Sequence, residues 1–165
     1  MEAPANARHA TERAVLNAIR RITRALRLSA MATQASVGIS AAQLTVLRAL
    51  AERESASITD LANLTLTDRS SVAAVVDRLV EHGMASRSPS PDDRRRARVQ
   101  ITKRGTRLAA ETAAPPPADL LVGGLGRLSD HQLTDLARSL TSFVTAMGLE
   151  ATPAEMLFEE EDAGA

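Results

Sequence analysis

Asp68-Arg69-Ser70-Ser71-Val72-Ala73-Ala74-Val75-Val76-Asp77-Arg78-Leu79-Val80-Glu81-His82-Gly83 is the stretch on which the reading of this chain turns. Val72, Val75, Val76, Leu79 and Val80 recur at helical spacing and predict an inward face. Arg69, Ser70, Ala73, Ala74, Asp77 and Glu81 then fall largely outside, with Arg78 at the flank. Asp68 or Thr67 caps the helix, because a side-chain oxygen there accepts from an early amide and an acid suits the positive end of the helix dipole. Gly83 stops it, since glycine tolerates the left-handed backbone that ends many helices.

Upstream, Ser57-Ile58-Thr59-Asp60 opens a shorter helix with Ile58, Leu61, Ala62 and Leu64 on its apolar face. Thr65-Leu66-Thr67 is β-branched enough to read as a turn. Two helices across a short turn, the second with a polar outer face, make a helix-turn-helix, whose second helix fits the DNA major groove. Downstream, Met84 to Ser88 and Ala97 to Ile101 read as extended pieces. Arg98 and Gln100 alternate with Val99 and Ile101, the period of a half-buried strand. The loop between them is Pro89-Ser90-Pro91-Asp92-Asp93-Arg94-Arg95-Arg96. A tip that only had to turn would use something like Asn-Gly. Three adjacent arginines repel one another and favour an anionic partner.

The formal net charge is +0, so the total says nothing about nucleic acid. The distribution does. Between Arg87 and Arg107 the only acids are Asp92 and Asp93, against Arg87, Arg94, Arg95, Arg96, Arg98, Lys103, Arg104 and Arg107. Beyond Arg138 no base occurs, while Glu150, Glu155, Glu159, Glu160, Glu161 and Asp162 follow. A clustered basic patch is the footprint of a phosphate-binding surface.

Residues 1–9 read as disordered, and a helix is predicted from about Thr11 to Thr33, with Val15, Ile19, Ile22, Leu26 and Met31 as its stripe. Ser40-Ala41-Ala42-Gln43 is a capping-box pattern, followed by Leu44, Leu47 and Leu50 to about Arg53. Pro115-Pro116-Pro117 predicts a kink or break near 114–117, because proline inside a helix costs about 3 kcal/mol. Leu120, Leu121, Val122, Leu125 and Leu128 form an apolar cluster. Ser129 and Gln132 box a final helix, lined by Leu133, Leu136, Leu140, Phe143, Val144 and Met147. Ala154 to Phe158 is expected as a short added helix, with disorder after Glu159. The organisation expected is an arm and first helix over 1–39, a DNA-binding unit over 40–104, dimerisation helices over 105–150 and a partly disordered acidic tail over 151–165.

Around Thr59 to Gly105 the sequence resembles the MarR family of bacterial transcription regulators. The resemblance rests on Asp60-Leu61-Ala62, on Asp68 to Val72, on Val76 to Gly83, and on Asp93-Arg94-Arg95-Arg96-Ala97-Arg98-Val99-Gln100-Ile101-Thr102-Lys103-Arg104-Gly105. It implies a mainly α fold with a small β-hairpin wing, a winged helix-turn-helix within an all-helical dimerisation frame. It implies a homodimer that binds a pseudo-palindromic operator in double-stranded DNA, as a ligand-responsive repressor. The recognition helix, about Arg69 to His82, would read the major groove. Arg95 would enter the minor groove with Asp93 holding it, and Arg94 and Arg96 beside it. Ala73 and Ala74 stand where the family often carries polar or basic readers, which shifts direct readout to Arg69, Ser70 and Ser71. The prolines interrupt what is commonly one long helix, and the acidic tail lies outside the family core. A small phenolic or aromatic effector would bind near Leu26, Met31, Leu44, Leu47 and Leu108.

Several classes are disfavoured. With no cysteine there is no disulfide, thiolate metal site or thiol switch. His9, His82 and His131 lack metal-ligand spacing. Gly123-Gly124-Leu125-Gly126 lacks the strand and lysine of a phosphate loop. No catalytic constellation, metal site or cofactor is expected. No apolar run reaches the ~20 residues of a membrane span, so a cytoplasmic protein is expected. The competing reading is a protein-interaction module whose basic wing meets an acidic partner.

Overall fold

A computed structural model describes residues 3–53, 55–89, 97–111, 115–152, 154, 156 and 157. Helix α1 spans Ala3–Val37, α2 Ala41–Ala51, α3 Ile58–Thr65 and α4 Arg69–Glu81. Strands β1 (Ala85–Pro89) and β2 (Ala97–Ile101) follow, then α5 (Lys103–Glu111), α6 (Pro117–Leu125) and α7 (Asp130–Ala146). The fold is mainly helical with one two-stranded antiparallel hairpin, as the sequence predicts.

Local signals decide most of the boundaries. Ser40, Ser57 and Ser129 each close a full capping box, with Gln43, Asp60 and Gln132 reaching back to the cap amide. Asp68, rather than Thr67, caps α4. Gly83, at φ +68, ends that helix. At the end of α3, Leu66 takes the left-handed conformation, at φ 52, that more often falls to glycine. Both boundaries of α1 differ from expectation: residues 3–9 are helical and continue into α1, and the helix runs past Thr33 to Val37. A proline in a first turn removes an amide that has no helical partner anyway. The i,i+4 pair Arg8–Glu12, at 2.8 Å, supports the next turn.

The core lies in the middle of the chain. Leu44, Leu47 and Leu50 of α2 meet Leu61 of α3, Val72, Val75, Val76 and Leu79 of α4, and Met84 and Val99 of the hairpin. Burying each such side chain contributes roughly 1.5–3 kcal/mol. The hairpin pairs Ala85 with Ile101 through Pro89 with Ala97. Ala56 adds a bridge on the far side of β2, exchanging backbone hydrogen bonds with Val99 at 3.0 and 2.8 Å. Both edges of β2 are thus engaged.

Helix α5 leaves the hairpin through a tight corner. The Thr102 hydroxyl donates to the Gly83 carbonyl at 2.8 Å and accepts from the Gly105 amide at 3.2 Å. A Cβ at position 105 would sit 2.2 Å from the Met84 carbonyl oxygen. The Thr-Lys-Arg-Gly sequence therefore encodes a close approach of helix to hairpin. After α5 the prolines act as expected. Pro115 and Pro116 lie outside any helix, and α6 starts on Pro117.

The segment after α7 departs from the expected short helix. Ala154, Met156 and Leu157 are non-helical, and Met156 is buried as part of the central core. An apolar side chain gains more by filling that space than four exposed helical residues would gain from hydrogen bonds. Residues beyond Leu157 lie outside the described set.

Candidate nucleic-acid interface

The α4 N-terminus is built around Asp68. Its carboxylate accepts from the Ser70 hydroxyl, from the Ser71 amide at 2.9 Å and from the Ser71 hydroxyl at 2.7 Å. Those bonds, the Ser70 hydroxyl first, hold the Asp68 carboxyl well below the usual carboxylate range. Asp60 is lowered in the same way by the Ser57 amide and hydroxyl. A depressed native value adds stability above the unfolded value of 3.8, lost as pH falls through the native one. Asp68→Asn keeps a competent cap and removes the charge. Wild type is therefore expected to denature later than this variant at pH 7, with the gap closing below about pH 4. A urea titration at several pH values checks this, and a pH-independent gap would remove the charge from the account.

The outer face of α4 carries Ser70, Ala74, Asp77 and Glu81, all exposed, with Arg69 exposed at one edge. Ala73 and Arg78 are half-buried at the flanks. Ser71 is buried and its hydroxyl is committed to Asp68, so it supports the cap and does not stand on the outer face. Asp77 would repel phosphate, but Arg87 of β1 pairs with it at 2.6 Å. That pair ties β1 to α4. Sequence reading placed both residues correctly and missed the pairing, which needs the hairpin to fold back over α4.

Other basic residues prove structural. Arg104 Nη1 donates to the His82 carbonyl at 3.0 Å, where the negative end of α4 favours a cation. Arg98 Nη2 donates to the Ser55 carbonyl at 2.8 Å and stitches β2 to the α2–α3 connection. Its Nε is buried without a partner. The wing-tip residues Asp93, Arg94, Arg95 and Arg96 lie outside the described residues.

The expected effector lining does not converge. Leu44 and Leu47 are fully buried core, Leu108 packs on that core, Leu26 is half-buried and Met31 is 68% exposed. A cavity of about 510 Å³ opens instead beside them. Thr45, Arg48 and Ala49 of α2 line it, with Leu64 and Thr65 of α3, Thr106, Ala109 and Ala110 of α5, and Asp119 of α6. No cluster able to hold a metal ion occurs among the described residues. No helix among them is long and apolar enough to cross a membrane.

Among the described residues, two helical faces carry exposed apolar side chains. On α7 no residue is buried; Leu140 is 52% exposed and Phe143 39%. Val15, Leu16, Ile19 and Ile22 of α1 are exposed as well. Exposed apolar side chains grouped on one helix face are what an association surface presents.

The MarR family model matches residues 39–97, from the start of α2 to the first residue of β2. No curated protein sequence matches the chain. Solved structures do. A MepR-like protein complexed with pseudoligands is 20% identical, with 81% of this chain and 93% of that one covered at a TM-score of 0.56. The transcriptional regulator BldR of Sulfolobus solfataricus is 23% identical over 82% and 96%, at 0.52. BpsR of Bordetella bronchiseptica, whose DNA binding is regulated by 6-hydroxynicotinic acid, is 26% identical over 78% and 97%, at 0.50.

Proposed function

We propose that this chain is a MarR-family winged-helix transcription regulator that binds duplex DNA as a homodimer and represses from a pseudo-palindromic operator. The observation that carries the reading is the α4 N-terminus. Arg69 and Ser70 stand exposed there, on a capped helix end, beside a hairpin whose connecting loop holds Asp93, Arg94, Arg95 and Arg96. Arg69 and Ser70 make the polar base contacts, and Ala73 and Ala74 offer only methyl groups to a thymine. Arg78 contacts phosphate from the flank. Arg95 enters the adjacent minor groove, where narrow geometry concentrates negative potential, and Asp93 orients it. The exposed faces of α1 and α7 bury one another across the two-fold axis. The protein works in the cytoplasm, with the DNA.

The cavity between α2, α3, α5 and α6 is the effector site in this reading, and its volume suits a small aromatic or phenolic molecule. BpsR supports a small-molecule input, since its own DNA binding responds to one.

Arg95→Ala is expected to weaken operator binding about tenfold and to lower the salt slope by about one unit, with an unchanged melting curve. Gel shifts at several salt concentrations measure this. Undiminished affinity would take Arg95 out of the interface. A wild-type protein that shifts no duplex even at low salt would favour the alternative, an acidic protein partner for the wing.

A further inference from the structure

In a continuous helix from wing to dimer interface, the backbone itself would fix how a winged unit sits on the dimer. This chain lacks that connection. Helix α5 ends at Glu111 and α6 begins at Pro117, with Pro115 and Pro116 outside any helix and Pro116 extended at ψ 160. Helix α5 belongs to the winged unit: Gly105 is wedged against Met84, and Leu108 and Ala109 pack on the core. Helix α6 packs mainly along α1.

Two side-chain contacts bridge the break. The Ser29 hydroxyl of α1 donates to the Pro115 carbonyl at 2.6 Å. That carbonyl is available because the Asp119 amide donates to Pro116 instead. Arg48, in the last turn of α2, donates from Nη1 to Asp119 Oδ2 at 3.0 Å. Asp119 lies in the first turn of α6, where the positive helix end favours an acid, and no side chain caps that end. The pair is part-shielded, with side chains 29% and 45% exposed. It also lines the cavity of about 510 Å³, so a molecule entering there lies beside it.

We propose that Arg48 and Asp119, assisted by the Ser29–Pro115 contact, are positioning residues that set the angle between each winged unit and the dimer helices, and hence the separation of the two wings. The inference rests on the dimeric reading above. The ion pair replaces a stiffness that the prolines removed. The effector cavity then acts on DNA binding by strengthening or breaking one bridge, with no need to bend a helix.

The test needs no DNA. The chain has no cysteine, so Ser86→Cys, at an exposed site on β1, carries a single spin label per chain. Pulsed electron resonance then reads one wing-to-wing distance in the dimer. The wild-type background is expected to give one narrow population. Arg48→Gln and, independently, Asp119→Asn are expected to add a second, displaced population while melting within about 2–4 °C of wild type. The double charge swap Arg48→Asp with Asp119→Arg is expected to restore the single distance. Identical distributions in all variants overturn the inference. So does a swap that fails to restore, since plain packing loss would do that. A sample with no dipolar signal is a monomer, and that result overturns the dimeric reading itself.

Discussion

Gly105→Ala is expected to destabilise the protein by about 2 kcal/mol and to weaken DNA binding with it. The added methyl would meet the Met84 carbonyl oxygen at 2.2 Å, Ile101 Cγ1 at 2.8 Å and Leu47 Cδ2 at 3.1 Å. Ile101 and Leu47 can shift, but the Met84 oxygen is backbone and already accepts from the Thr102 amide at 3.1 Å. Alanine would otherwise gain about 1 kcal/mol over glycine inside a helix, so the overpacking must exceed that for the sign to hold. Gly123→Ala is the matched control, because a Cβ there meets nothing within 4 Å. Urea denaturation of the two variants side by side gives the comparison. An unshifted midpoint for Gly105→Ala would mean that the helix–hairpin corner slides apart at little cost. The coupling to DNA follows from place: the same corner carries the Thr102–Gly83 and Arg104–His82 contacts that hold the end of α4.

Leu140→Asp combined with Phe143→Asp is expected to convert the proposed dimer to monomers. Both side chains are exposed within one chain, so the helices should keep their circular dichroism. Across a two-fold axis each substitution acts twice. Four lost apolar contacts at roughly 1.5 kcal/mol each, from the lower end of side-chain burial, weaken association by about four orders of magnitude. Sedimentation equilibrium reads this directly, and operator affinity should collapse in parallel. A dimer of undiminished strength would place the interface on other helices.

The sequence was most legible where the physics is local. Three Ser-x-x-Gln/Asp boxes, the Asp68 cap, the Gly83 stop and the break at Pro115–Pro117 each depend on neighbours within four residues, and each is observed. The alternation in β2 and the inward stripe of α4 are equally local. Contacts between distant positions were not legible. Ser29 meets Pro115 across 86 residues, Arg48 meets Asp119 across 71, and Arg98 reaches Ser55 across 43. No periodicity announces such pairs. For the same reason Ser71 was counted with Arg69 and Ser70 for base readout, although its angular position and its bonds to Asp68 turn it inward. The effector lining was placed on leucines because apolar residues suggest both pockets and cores. Here Leu44 and Leu47 belong to the core and Leu108 packs on it, while the cavity beside them is walled largely by alanine, threonine and one ion pair.

Met156 has a bearing on how the protein is made. It fills part of the core of the winged unit from a position well beyond α7, 7% exposed. During synthesis that unit emerges from the ribosome with its core residues from Ile39 to Val99 present and only the Met156 side chain missing. That side chain becomes available only after α6 and α7 have been translated. A product of premature termination at Gly148 would therefore carry every α4 side chain and yet leave the part of the core that Met156 covers open. Such a fragment is expected to open locally more often than the full chain and to be cut sooner by an added protease.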